Sequence, residues 1–231
     1  MIRAFELAVL QLGDPRLRSV IWQSLGLSLV LQIMLGVLAW WALQSLATFE
    51  WKWINDAIRW LGGSAVTVLA LMLFPACSTI VMSLFIEKIA NIVEGKHYPQ
   101  LGVAPGIPIM VGLVSSLLFF LTLVLLNLLM LPFYILALFI GGLGAVIFYG
   151  LNGWLAGREY YEQVALRRMD RRSVKAWRSA NTTRLWGAGI VIALLATVPI
   201  LNLIVPALGA AAMVHVAQTL KPPFNLPART G

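Results

Sequence analysis

The chain has 231 residues, of which 60% are hydrophobic and only 11% are charged, with a formal net charge of +8. A soluble domain is typically about 45–50% apolar and about 25% charged, so a soluble fold of this length could not hide so much apolar surface. The composition therefore predicts an integral membrane protein. Two histidines and one cysteine also exclude a His/Cys metal cluster and an intramolecular disulfide within this chain.

The first predicted element is a short amphipathic helix within residues 1–18. Ile2, Phe5, Val9 and Leu12 share one helical face, a pattern typical of a helix that lies in the membrane interface. The segment has no compact apolar core and no Ala-x-Ala site, so it does not have the pattern of a cleaved signal peptide.

A second helix is predicted to begin at Asp14-Pro15, because Asp is a favoured N-cap and Pro suits the first helical position. Its free amides and positive dipole end would lie beside two arginines and could bind sulfate, phosphate or a lipid headgroup. The alternative, favoured on the residues alone, is that the arginines anchor the end of a membrane span. The candidate anion-binding residues are Arg16, Leu17, Arg18 and Ser19.

Four runs contain no Asp, Glu, Lys or Arg: residues 19–49, 60–86, 98–157 and 185–220. A membrane-spanning helix needs about 20 apolar residues, so the first two runs predict two long transmembrane helices. A tryptophan-rich, neutral linker between them is typical of the far membrane interface. None of the runs alternates apolar with polar residues, which excludes strands of a membrane barrel and favours an all-α fold.

The two later runs each predict a helical hairpin. In residues 98–157 the bend is expected near 126–132, because Pro132 lacks an amide donor. Residues 185–220 are broken by prolines into two short arms, which form either a re-entrant hairpin or two complete spans. His215 lies in this run, where a hydrogen-bonded structural role is favoured over a proton relay.

Glycines in the third run lack the flanking strand and acid of a dinucleotide-binding motif. Their small size instead indicates close helix packing. They are Gly141, Gly142 and Gly144, with Gly153 and Gly157 at small-x3-small spacing.

Residues 158–184 form a basic segment, with eight of the 17 Lys and Arg residues against three acids. By the positive-inside rule this segment, the N-terminus and the tail at 221–231 are predicted to be cytoplasmic, although a dual topology remains open. A basic cluster beside a membrane helix more often meets anionic lipid than nucleic acid, so no nucleic-acid partner is predicted. The candidate lipid- or partner-facing residues are Arg167, Arg168, Arg171, Arg172, Lys175 and Arg178.

The residue inventory disfavours several activities. None of the four apolar runs contains an acidic residue, which argues against an ion-coupled pump. The sequence contains no acid/base or nucleophile constellation, so it predicts neither an enzyme nor a cofactor or metal site. A passive pore, a binding scaffold and a lipid-interacting protein remain open.

Several segments, in order, resemble the etoposide-induced 2.4-like family, which includes the CysZ-type sulfate permeases. The most specific are the Gly-Arg-Glu-Tyr segment at 157–160 and the Pro-Ile-Leu-Asn segment at 199–202. The matching segments are residues 14–18, 74–76, 83–94, 152–162 and 199–206.

The resemblance implies two long transmembrane helices followed by helical hairpins that penetrate the membrane either fully or only partly, and a homo-oligomer in the inner membrane. In the CysZ branch it implies sulfate uptake for cysteine synthesis, with a Gly-Leu-Arg element that binds sulfate. Leu17 and Arg18 match its last two positions, whereas Arg16 stands where glycine is expected. Two hypotheses follow: a passive permease for sulfate or a similar anion, or a non-transporting scaffold that uses the basic segment.

Overall fold

The computed structural model describes residues 1–46, 81, 84–137 and 139–220. This part of the chain is helical and contains no β-strand, which confirms the predicted all-α class. The α-helices are α1 (Ile2–Gln11), α2 (Pro15–Leu46), α3 (Ile86–His97), α4 (Ile109–Ala137), α5 (Leu143–Ala165), α6 (Arg171–Ala180), α7 (Thr182–Ala196), α8 (Pro199–Asn202) and α9 (Val205–Gln218), with a 3-10 helix at Pro99–Leu101.

The chain divides into two compact units. One comprises Met1–Arg18 and the chain from Ile86 onward, and the other comprises Ser19–Phe85, where the structure describes the body of α2. Most of the predicted second long helix at 60–86, the linker before it and the tail at 221–231 lie outside the described residues.

The helix α2 matches the first predicted span. Its apolar stretch Pro15–Ala42 has 28 residues and is long and apolar enough to cross a membrane. At about 1.5 Å per residue it extends about 42 Å, more than the hydrocarbon core of about 30 Å. Large side chains along it are exposed, including Trp22 at 68% and Trp41 at 69%. Such an apolar exterior suits lipid better than water.

The helices α4 and α5 form the two segments of the predicted hairpin, but the expected position of the bend was wrong. The helix α4 runs through Pro132 as far as Ala137, and the chain turns at Gly142, whose φ is +80°. Glycine adopts this left-handed conformation without the strain a Cβ would cause. Pro132 removes one hydrogen bond and its ring crowds the preceding turn, but α4 continues past it.

The closest helix packing joins α5 to α7. A Cβ at Gly157 would collide with the carbonyl oxygen of Leu185, and a Cβ at Gly189 would collide with that of Gly153. This confirms the packing role predicted for Gly153 and Gly157. The prediction was wrong for Gly142, which serves the turn, and no described residue lies within 4 Å of a Cβ at Gly141.

The last apolar run is divided as its prolines predict. The helices α7 and α9 have 15 and 14 residues, so each extends only about 21–23 Å, with the short α8 between them. The helix α9 is buried from Val205 to Val216 and contacts α1, α3, α5 and α7. It is therefore the centre of the first unit. His215 on it is buried, and its Nδ1 lies 2.9 Å from the Tyr98 hydroxyl, which supports the structural role.

The helix α1 packs on α9 through its small residues. Ala4, Ala8 and Gln11 are buried, whereas Ile2 and Val9 are 85% and 52% exposed. Two residues of the predicted apolar face, Ile2 and Val9, are thus exposed, whereas Phe5 and Leu12 are half-buried. The alanines permit a closer approach to α9 than larger side chains would.

Candidate anion-binding site

The start of α2 has the predicted local structure. The Arg16 amide donates to Asp14 Oδ1 at 2.9 Å, and the Arg18 amide donates to the Asp14 carbonyl oxygen at 2.9 Å. Asp14 is therefore the N-cap, with Pro15 at the first helical position. The Arg16 amide, followed by the Lys96 ammonium, lowers the pKa of Asp14 below its usual 3.8, so the cap stays ionised at neutral pH.

A cavity of about 410 Å³ lies between this helix start and α3. Three cationic side chains line it, and one carboxylate, that of Asp14, lies 3.1 Å from the Lys96 ammonium. The lining charges sum to +2, which favours an anion. The lining residues are Asp14, Arg16, Lys88, Asn91, Ile92, Gly95 and Lys96.

A buried ion-pair network fixes the opposite face of α3. Glu94 Oε1 lies 3.2 Å from Arg167 NH1, and the two oxygens of Glu94 accept from Arg168 at 3.1 and 2.7 Å. Arg168 also donates to the carbonyl oxygens of Leu101 and Gly102 at 2.9 and 2.8 Å. The side chains of Glu94 and Arg167 are only 4% and 0% exposed.

This network extends to the cavity through Asn91, whose side-chain oxygen accepts a hydrogen bond from Arg167. Because Asn91 also lines the cavity, the buried arginine holds the wall of the cavity in place. Two of the three cations that line the cavity, Lys88 and Lys96, thus belong to a helix that is held by buried ion pairs.

The family model described as "Sulfate transporter CysZ/Etoposide-induced protein 2.4" matches residues 3–206. The chain belongs to this family. No curated protein and no solved structure matches the chain. The family match confirms the resemblance seen in the sequence and covers both sides of the cavity. Together with the apolar helix α2, it indicates a membrane protein with a transporter-like function.

In this CysZ/etoposide-induced 2.4 chain, the four predicted anion-binding residues have different surroundings. Arg16 lines the cavity, whereas Leu17 is fully buried. Arg18 and Ser19 are exposed, and neither is among the described residues that line the cavity. Ser19 Oγ instead accepts from Gln23 Nε2 at 3.2 Å.

Sequence reasoning missed the residues that α3 contributes. Lys88, Asn91 and Gly95 are spaced by three and four positions, which places them on one face of a helix. That periodicity was available in the sequence. Their proximity to Arg16 was not, because about 70 residues separate them along the chain.

The basic segment is also divided between interior and surface. Arg167 and Arg168 belong to the buried network, with side chains that are 0% and 13% exposed. Asp170 caps α6 through the amides of Arg172 and Ser173. Arg171, Arg172 and Lys175 are exposed on α6, whereas Arg178 pairs with Glu162.

The described residues contain no group of three or more His, Cys, Asp or Glu side chains placed to hold a metal ion. The polar groups near the cavity are cations, amides and a carboxylate already paired with Lys96. This donor set suits an anion better than a cation or a phosphate-linked cofactor that requires a metal.

Proposed function

We propose that this protein is a polytopic inner-membrane permease that moves sulfate or a similar inorganic oxyanion passively, in support of sulfur assimilation. The observation that carries the proposal is the positively charged cavity at the start of α2. The guanidinium of Arg16 and the ammonium of Lys88 would bind the anion by charge-assisted hydrogen bonds. The dipole of α2 would add to their attraction.

The family supports transport as the activity, since its description includes a sulfate transporter. In this proposal the first and last segments of the chain and the basic segment lie on the cytoplasmic side, following the distribution of Lys and Arg. The protein acts without an enzymatic step and without a cofactor, and it forms a homo-oligomer in the membrane.

The test is uptake of radiolabelled sulfate into proteoliposomes that contain the purified protein. We expect Arg16→Ala and Lys88→Ala to reduce saturable uptake at least tenfold, since each removes a charge-assisted contact of about 1.5–3 kcal/mol. Arg172→Ala, which removes an exposed charge outside the cavity, is the matched control.

Arg18→Ala distinguishes two places where the anion could bind, the cavity and the Gly-Leu-Arg-like element. If the cavity binds the anion, this variant keeps most of the uptake, because Arg18 is exposed and does not line the cavity among the described residues. If the Gly-Leu-Arg-like element itself binds the anion, Arg18→Ala loses uptake and Lys88→Ala does not. Equal uptake by all variants and by empty liposomes would refute binding at either place.

The second candidate function is a non-transporting membrane scaffold that holds anionic lipid or a protein partner. The exposed cations Arg171, Arg172 and Lys175 on α6 favour it. It predicts no sulfate flux from folded protein, and co-purification of lipid or partner that depends on these three side chains.

A further inference from the structure

A second positively charged cavity, of about 250 Å³, lies among α4, α5 and α6. Four cations and one carboxylate line it, so its lining charges sum to +3. Its remaining walls are a serine and three apolar side chains. The lining residues are Ser115, Leu118, Arg158, Glu162, Leu166, Arg171, Val174, Lys175 and Arg178.

Among the described residues that line this cavity, cations outnumber carboxylates by four to one. Glu162 Oε1 accepts from Arg158 Nε at 3.0 Å and also pairs with Arg178, so two guanidinium groups share one carboxylate. One terminal nitrogen of the Arg171 guanidinium donates hydrogen bonds to the Val111 carbonyl oxygen and to the Ser115 hydroxyl oxygen, at 2.9 and 2.8 Å. These contacts are to neutral groups. A bound anion would compensate the surplus charge.

An apolar surface leads away from the cavity along α4. Leu118 lines the cavity, and Val114, Leu121 and Leu125 are 39%, 54% and 58% exposed. Their spacing of three and four residues places them in one stripe on the helix. Across the cavity, the Arg158 guanidinium lies 5.9 Å from the Trp154 ring, and indoles favour the headgroup level of a membrane.

We propose that this cavity binds the phosphate of an anionic phospholipid, with its acyl chains along the exposed stripe of α4. The cations and the Ser115 hydroxyl match a phosphodiester, and the stripe matches the chains. A free inorganic anion would satisfy the charges but would leave the apolar stripe uncovered. This lipid site is separate from the cavity at α2, so it does not depend on transport.

The test is native mass spectrometry of the delipidated full-length protein in detergent, titrated with phosphatidylglycerol or phosphatidylcholine. We expect the unaltered protein to prefer phosphatidylglycerol. Lys175→Glu should weaken phosphatidylglycerol binding about tenfold, because it reverses a charge that lines the cavity. The matched control is Arg3→Glu, the same reversal of an exposed charge on α1, which does not line the cavity and should change binding less than twofold. Lys175 is exposed, so folding should survive the change.

Inorganic phosphate in the same titration distinguishes the lipid headgroup from a free anion. We expect millimolar phosphate to leave phosphatidylglycerol binding unchanged; displacement of the lipid would assign the cavity to a free anion and overturn the proposal. Equal binding of the two lipids, or equal losses in Lys175→Glu and Arg3→Glu, would also overturn it. Because no flux is measured, the result is independent of sulfate uptake.

Discussion

Glu94 is the carboxylate that holds the buried ion-pair network of α3. It lies within ion-pair distance of both Arg167 and Arg168, and its side chain is 4% exposed. Glu94→Gln keeps the size and part of the hydrogen bonding but leaves two guanidinium groups without their counter-charge. Loss of one partner of a buried ion pair costs about 3–5 kcal/mol, because the remaining charge stays desolvated.

For a chain of this length, 1 kcal/mol shifts the melting temperature by about 2–4 °C. We therefore expect Glu94→Gln to lower it by about 6–20 °C in thermal unfolding of the purified protein in detergent. Glu6→Gln makes the same change on an exposed side chain of α1 and should shift it by less than about 1 °C. A melting temperature of Glu94→Gln equal to that of Glu6→Gln would refute the reasoning.

Three further predictions use the same unfolding assay. Gly157→Ala and Gly189→Ala should each destabilise the protein by about 1–3 kcal/mol or more, because the added Cβ would collide with backbone across the α5–α7 contact. Asp14→Ala should cost about 1 kcal/mol through loss of the α2 cap. Burial raises the pKa of Glu159 to about 7, so stability should fall as pH rises from about 4.5 to 7, and Glu159→Gln should remove up to about 3 kcal/mol of that dependence.

Each of these predictions has a control within the chain. Gly150→Ala on α5, where no described residue lies within 4 Å of the added Cβ, should be neutral or slightly stabilising, and an equal loss there would contradict the packing argument. Asp14→Asn retains a capping oxygen and should cost less than Asp14→Ala. For Glu159, the direction follows because the unfolded chain releases its proton near pH 4.5 whereas the folded chain retains it to about 7. A stability that rises over that range would contradict the assignment.

Features that depend on neighbouring residues could be predicted from the sequence. The start of α2 follows from Asp14-Pro15, and the break between α7 and α9 follows from Pro199 and Pro206. Both are decided by backbone hydrogen bonding within one helical turn. The same reasoning wrongly predicted the hairpin bend at Pro132, because a long helix can lose one hydrogen bond and continue.

Features that depend on contacts between distant residues could not be predicted from the sequence. A run of arginines shows the same composition whether its members are buried or exposed, so Arg167 and Arg172 are indistinguishable in sequence. Only the position of Glu94, more than 70 residues earlier, places Arg167 in the interior. For the same reason Arg16 could be proposed as a site residue, whereas Lys88 and Lys96 could not.

The contact between α1 and α9 has a consequence for biosynthesis. About 200 residues separate the two helices, and ribosomes add about 5–20 residues per second. The helix α9 is therefore synthesised about 10–40 s after α1. During that interval Ala4 and Ala8 lack the helix that later buries them. The exposed apolar side chains of Ile2 and Val9 give α1 an affinity for the bilayer surface. Residence at the bilayer surface would keep α1 from aggregating until α9 has been synthesised.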